Sequence, residues 1–557
     1  MPRRKSSAKD DDDDDDEDDD ALEEEDDDDD VGDGEEDDDV DGDDDDSIIR
    51  RGVKRARRDD GRASGSGGVI IVTSSSSSPT PQPPSSSSPP PAPPSSSSSS
   101  SPSTSSSSAA AAVAAAERTA ANVVVGSSSS SLEGAKFRGQ LLICGATNWD
   151  LVGRREVPKQ QAAFRNLGQN LWAPHRYGSL RDIAVSRVIT GPCAAHSLLI
   201  STRGLVYSWG RGEKGQLGHG DTCRVDVPRI IDTLKECVIV DGACGRSHTL
   251  CLTDTGTVYA FGENRLGQLG LGNQTDAVPS PTQIVYSGRQ VVKVACGAEF
   301  SVFIDCDGNL FSFGCPEYGQ LGHNTDGRYI VRAQRIEFVC ELAPRRLARF
   351  IEKTRDGQVL TVRGVVIRDV ACGANHTIAL DTRGRVFTWG FGGYGRLGHA
   401  EQKDELLPRL VKLLDRPAPA VNSVRAGYSC TFAINVVGTL YFWGSTNTSR
   451  DPTMYPKAVH DLCGTHVRSL ACGKSSILIT SDDSTMSWGP WPTYGELGYG
   501  EGKQRSSSVP QELKKLSGIH IHEVAMGFAH SLLLARDESE EDKALVHQIP
   551  EYCPRAL

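Results

Sequence analysis

The chain has 557 residues, with 60 Lys and Arg against 75 Asp and Glu and a formal net charge of −15. That acidity is uneven, because residues 132–557 hold 48 basic and 42 acidic residues and the negative surplus lies ahead of them. No apolar run approaches the roughly 18 residues of a spanning helix, and the start lacks the apolar stretch of a secretory leader. A reducing cytosolic or nuclear setting is therefore expected for the 15 Cys.

Taken in order, the chain begins with a tail, 1–131, expected to be disordered. Residues 10–46 contain 30 acidic residues in 37 positions, 50–58 form the basic cluster RRGVKRARR, and 62–131 is Ser, Pro, Gly and Ala with almost no large apolar side chain. Such a segment cannot bury enough surface to offset the entropy of ordering it. In KRARR with its neighbours, Arg50, Arg51, Lys54, Arg55, Arg57 and Arg58 have the composition of a nuclear import signal, which implies an import receptor. A polyacidic tail on a mildly basic body suggests self-masking or basic partners such as histones.

Beyond residue 131 a unit of about 50 residues recurs. Its first element reads ACGRSHTL at Ala243, ACGAEFSV at Ala295, ACGANHTI at Ala371, ACGKSSIL at Ala471 and AMGFAHSL at Ala525, with degenerate copies at Pro192 and Ala426. A DTG or DTRG turn is followed by a second element such as VYSWG, VYAFG, LFSFG or VFTWG, and then by KGQLGHG or a relative. Short alternating apolar runs at this period predict an all-β propeller of seven four-stranded blades over 132–537. The last unit stops after its first element, while LLICG, ending at Gly145, is an orphan strand. The strand at 140–145 is therefore expected to complete the seventh blade and close the ring. Residues 538–557 are expected to form a peripheral helix and tail.

Recurrence assigns the repeated residues to the scaffold. His196, His248, His376 and His530 share one position and are expected to bond backbone, and Cys244, Cys296, Cys372 and Cys472 share another and are expected in the core. The ring separates those four thiols, so no metal site is expected. Nor are there catalytic motifs such as GxSxG, HExxH or a complete phosphate loop, and neither a cofactor nor an enzymatic activity is expected.

Function is expected where copies differ. The largest difference is 328–368, with ten basic and four acidic residues, which reads as a projecting strand pair around Asp356–Gly357 flanked by a basic turn, APRRLAR. Residues 149–179 carry a helical pattern, QQAAFRNLGQNL, with Trp172 and Tyr177 as anchors. STNTSRDPTMYP, 445–456, replaces the glycine loop of the fifth blade.

The pattern xACGxxHTxxL…VFxWGxxxxGQLGHG resembles the repeat signature of the regulator of chromosome condensation family, across essentially all of 132–557. The resemblance implies a nuclear propeller on chromosomes and centromeres, with the nucleolus, spindle and cytoskeleton as further locations, acting in mitosis. It also implies work on small GTPases of the Rac and Ral kinds, by exchange or by sequestration. Candidate partner contacts are Arg345, Arg346, Arg349, Lys353 and Arg355 in the insertion, with Glu317 to compete for a phosphate-loop Lys and Tyr318 and Tyr394 as aromatic anchors. The alternative is a scaffold for chromatin, nucleosomal DNA or microtubules without effect on nucleotide exchange.

Overall fold

The computed structural model describes residues 131–149, 151–153, 170–331, 335–415, 419–446, 452–482 and 484–554. Six antiparallel blades follow in order, at 185–230, 239–283, 291–346, 367–410, 421–458 and 467–512. In blades 2 to 6 the ACG element or its degenerate copy ends the innermost strand, and in all six the WG or FG element lies in the third. The seventh blade is assembled from both ends of the domain. Ile521–Met526 and His530–Arg536 are its inner strands, and Gly139–Gly145 pairs with the latter in unbroken register from Gly139↔Arg536 to Gly145↔His530. The expected closure is present, and it leaves no inner blade edge open.

Leu171–Tyr177 is the fourth strand of blade 7, pairing with Gly139–Gly145. Trp172 and Tyr177 are thus strand residues rather than anchors of a helical segment, and most of the QQAAFRNLGQNL stretch lies outside the described residues. The C-terminal helix, Glu540–His547, has Ser539 and Asp542 in a reciprocal cap. It docks through Arg536, whose Nε and Nη2 donate to Asp542 at 2.9 and 3.0 Å. Glu551–Tyr552 then pairs with Arg176–Tyr177, so the C-terminal residues extend blade 7.

The core is a ring of clusters between blades. One, for example, joins Phe300, Val302 and Leu321 of blade 3 to Ile367, Phe387 and Trp389 of blade 4. The glycine loop explains itself in this packing. Gly218, at φ +75°, lies where a Cβ would strike the Phe261 ring of the next blade, so both the backbone conformation and the contact require glycine.

The repeated histidines do hold the scaffold together, but through a different acceptor from the expected backbone. His196 Nε2 meets Thr249 Oγ1 at 2.8 Å, His248 meets Ser301 Oγ at 3.0 Å, His376 meets Thr431 Oγ1 at 3.0 Å and His530 meets Ser197 Oγ at 2.7 Å. Each partner belongs to the following blade. Thr249, Ser301 and Thr431 donate their own proton to the carbonyls of Gln216, Gln268 and Arg396, so in these pairs the ring N–H is the donor. Burial holds all four rings neutral, with pKa values of about 3 for His196 and His530, about 4 for His248 and well below the usual range for His376.

Around the axis the inner strands carry charges that the repeat pattern conceals. Arg187 of blade 1 pairs with Asp241 at 2.9 Å and with Glu523 at 3.4 Å, and Asp369 pairs with Lys293 and with Arg425 at 3.5 Å. The centre of the ring therefore holds titratable groups. They alternate in sign and neutralise each other across blade seams. Burial raises the Asp369 pKa, but Lys293 and Arg425 outweigh it and hold the carboxyl below its ordinary value.

Candidate partner-binding site

Antiparallel alternation gives the ring two faces. The first-to-second and third-to-fourth loops of every blade share the upper face. The second-to-third turns and the connectors between blades share the lower one. Neighbouring backbone bonds confirm this, as in Ala298 N–H to Ala374 O at 3.0 Å above and Ile367 N–H to Gly308 O at 2.9 Å below.

The expected single insertion at 328–368 is two insertions separated by a scaffold strand. Glu341–Arg346, which includes the segment read as the start of a basic turn, is the outer strand of blade 3, paired with Phe311–Gly314. The missed signal was Pro344. Every blade places a proline in its outer strand, at 174, 228, 279, 344, 408, 456 and 510, where an edge tolerates the missing N–H. DPTMYP in blade 5 is explained in the same way, by Thr453–Ala458, while 447–451 lie outside the described residues.

The first insertion lies in the third-to-fourth loop, on the upper face. Arg328–Ile330 and Ile336–Phe338 form a hairpin that pairs with no other strand among the described residues. Tyr329 donates its hydroxyl proton to Glu337 at 2.9 Å, and Gly327 and Val339 close the base at 2.8 Å. Its apolar side chains face solvent, Ile330 at 75% and Val339 at 66% exposure, with Tyr329 and Ile336 also exposed. Exposed apolar side chains on a hairpin of this kind make it a candidate contact surface. Its signal in the sequence was the alternation in RYIV and RIEFV, outweighed by the basic count.

The second insertion, the hairpin Phe350–Lys353 and Val359–Val362, turns at Asp356–Gly357 as expected. It lies in the connector to blade 4, on the lower face, and is not free: Ile351 pairs with Arg409 of blade 4. Lys353 is committed to Glu405, whose side chain is 4% exposed and also accepts from Arg409 at 2.7 Å. Arg345 pairs with Glu341 and Arg346 donates to Asn309, while Arg349 and Arg355 are exposed.

The candidate residues therefore fall on opposite sides. Glu317, Tyr318 and Tyr394 belong to upper-face loops of blades 3 and 4. Tyr318 packs on Phe391 at 4.8 Å between ring centroids, and the buried Arg396 guanidinium sits 4.5 Å from Phe391 and 5.6 Å from Tyr394. This stack bridges the blade 3–4 seam beside the upper hairpin, and Tyr394 within it has a left-handed φ of 57°. Also on the upper face, and not anticipated, is Trp491, 67% exposed in blade 6, which stands between prolines in GPWPTYG where the glycine loop departs from the repeat. Arg50, Arg51, Lys54, Arg55, Arg57 and Arg58 lie outside the described residues. Among the described residues no His, Cys, Asp and Glu cluster has metal-site geometry, and the Cys at the shared repeat position are buried in the core.

A closed ring of seven repeat-built blades, carrying an apolar hairpin on one face and an arginine-rich connector on the other, defines a β-propeller of the repeat-built kind. The RCC1-like domain model matches residues 93–416, and the chain belongs to that family. It is 68% identical over 426 residues to human protein RCC2, covering 76% of this chain and 82% of the relative, and 67% identical over 426 residues to the zebrafish RCC2 homolog, covering 76% and 86%. Among solved structures, yeast Prp20p superposes with a TM-score of 0.57 at 18% identity, covering 75% of this chain and 96% of that one, which is a likeness of fold.

Proposed function

We propose that this chain is a cell-cycle regulator that binds a small GTPase of the Rac or Ral kind on its upper face, in the nucleus and on mitotic chromosomes, and that the 328–338 hairpin is the element pressed against the GTPase. The observation that carries this reading is the exposure of Tyr329, Ile330, Ile336 and Val339 on a hairpin rooted in a rigid blade. A nucleotide-bound GTPase keeps its switch loops ordered through phosphate and Mg²⁺. A rigid partner that prefers the nucleotide-free form weakens nucleotide binding by the same factor, through linkage. The Tyr318–Phe391–Arg396–Tyr394 stack supplies a preorganised floor beside the hairpin. The fold is also that of Prp20p, which was solved in a study of its binding to Gsp1p and histones.

The test is release of a fluorescent GDP analogue from Rac, Ral, Ran and Arf type GTPases mixed with the full chain, or with a chain in which 328–338 is replaced by a short Gly-Ser turn. Acceleration that disappears with the replacement supports exchange; binding without acceleration supports sequestration. If no member of the panel binds, the reading fails. A chromatin scaffold is favoured by a separate observation, the lower-face arginines, and binding of nucleosomes alone would point to it.

A further inference from the structure

Blade 3 sets two cysteines against each other at the root of the upper hairpin. Cys315 directly follows the third strand, and Cys340 directly precedes the outer strand, Glu341–Arg346. The two strands run antiparallel with Gly314 opposite Glu341, so one step further the ladder brings Cys315 opposite Cys340. Residues opposed in this way have Cα atoms about 4.5 to 5.5 Å apart, inside the range of about 4.4 to 6.8 Å that a disulfide bridges. The side chains meet as well, because the two thiols share a hydrogen bond. Other blades fill the same two positions differently: Arg211 and Arg224 in blade 1, Glu263 and Ala277 in blade 2, Phe391 and Asp404 in blade 4, Pro490 and Ser506 in blade 6. The thiol pair is therefore a departure from the repeat, placed where the upper hairpin also departs from it.

The two thiols are unlike. Cys315 is 3% exposed, and its bond to Cys340 together with burial raises its pKa far above the ordinary value. Cys340 is half-buried and reaches solvent. The same bond lowers its pKa, against the effects of burial and of the carboxylates Glu299 and Glu341. Those carboxylates are themselves engaged, Glu299 by Arg246 at 3.4 Å and Glu341 by Arg345. An accessible thiol of lowered pKa beside a buried partner is the arrangement of an attacking and a resolving cysteine. Cys430 and Cys472, whose sulfurs lie 3.5 Å apart between blades 5 and 6, are both buried and lack an accessible member.

We infer that Cys315 and Cys340 form a reversible disulfide, closed by hydrogen peroxide and opened by a thiol reductant, that clamps the root of the 328–338 hairpin to blade 3. The Cys340 thiolate attacks the peroxide O–O bond and takes one oxygen as sulfenic acid. The hydroxide released becomes water with the proton the thiol has shed. The Cys315 thiol then attacks the sulfenic sulfur, the S–S bond forms, and the hydroxyl leaves as a second water with the Cys315 proton. Two thiols thus lose two electrons in all, and one peroxide is reduced to two waters. In a reducing compartment such a bond is transient, which suits a signal. Its effect is local. Val339 N–H bonds Gly327 O at 2.8 Å to close the hairpin base, and Cys340 is the next residue. Fixing Cys340 to Cys315 opposes the opening in which that base parts. The inference stands whether or not a GTPase binds the hairpin.

In the experiment the full chain is treated with hydrogen peroxide, quenched with N-ethylmaleimide, digested without reductant and analysed by mass spectrometry, beside the same chain carrying C340S or C315S. The expected product is a linked pair of peptides holding Cys315 and Cys340, two hydrogens lighter than their sum and lost on treatment with dithiothreitol. In C315S, Cys340 should stop at sulfenic acid and take up dimedone; in C340S, Cys315 should stay a free thiol. C340S alters a half-buried side chain, so its thermal unfolding should match the parent's, and the parent digest decides the matter if C315S fails to fold. Amide exchange at Val339 should slow at least about ten-fold in the treated parent and be unchanged in treated C340S. The inference is overturned by linkage of either cysteine to a different partner, by Cys340 reaching sulfinic acid while Cys315 stays free, or by both thiols remaining unmodified. Linkage without slower exchange at Val339 overturns the clamp.

Discussion

Glu496 offers a measurement in which burial, titration and the repeat pattern all bear on one number. In blades 1 to 3 the corresponding residue is Gln216, Gln268 or Gln320, whose side-chain oxygen accepts the backbone N–H of Lys214, Leu266 or Tyr318 at 2.8 to 2.9 Å. Blade 6 places a carboxyl there. Glu496 is 5% exposed, accepts from Thr493 and Tyr494 N–H at 3.2 and 2.8 Å, and is pushed by burial to a pKa of about 7 from an ordinary 4.5. Because the folded-state value is raised, the folded protein binds the proton more tightly than the unfolded chain does. The stability from this group is complete below pH 4.5 and is lost as pH rises through 7. With those two values, ionisation costs about 0.8 kcal/mol at pH 5 and about 3.3 kcal/mol at pH 8. E496Q keeps the acceptor and removes the charge, so it should stabilise the domain by an amount that grows by about 2.5 kcal/mol between these pH values. Urea unfolding of parent and variant, followed by Trp fluorescence at pH 5, 6, 7 and 8, reads that difference directly, and titrations common to both proteins cancel. A difference that is flat with pH, or a variant less stable than the parent at pH 8, would refute the reasoning.

Other outcomes follow from the blade clasps and the lower hairpin. H376A opens a cavity and removes the bond to Thr431 and should cost about 3 kcal/mol, whereas H376F should cost less than half of that, because blade 3 already carries Phe300 at this position and Thr431 keeps its bond to the Arg396 carbonyl; chemical denaturation checks the order. The clasp histidines are neutral when folded, with depressed values of about 3 to 4 for His196, His248 and His530. Their contribution is therefore complete above pH 6.5 and falls by about 1.4 kcal/mol per histidine per unit as pH drops below it; stability of H530F against pH should have a shallower acid limb than the parent's. E405A leaves Lys353 and Arg409 without their shared carboxylate and should destabilise by about 3 kcal/mol while speeding amide exchange in 350–362; unchanged exchange would mean the hairpin is held by other contacts.

Periodicity and turn chemistry determined the blade number, the strand order within a blade and the closure by Gly139–Gly145, because each repeat states the same local preferences and an incomplete last unit must be completed by a strand elsewhere. The same recurrence marked the histidines as scaffold. It could not name their acceptors, since Thr249, Ser301, Thr431 and Ser197 lie a blade away and only stacking brings them within 3.0 Å. The alternating charges of Arg187, Asp241, Lys293 and Asp369 were hidden for the same reason, being some 50 to 76 residues apart in the chain and neighbours only around the axis. The site residues show the sharpest division. Composition found the positive segment, yet a count of charge has no direction. Whether Arg355 and Tyr329 share a surface depends on which side of the ring each loop leaves, and Glu341–Arg346, a single strand crossing between them, puts them on opposite faces.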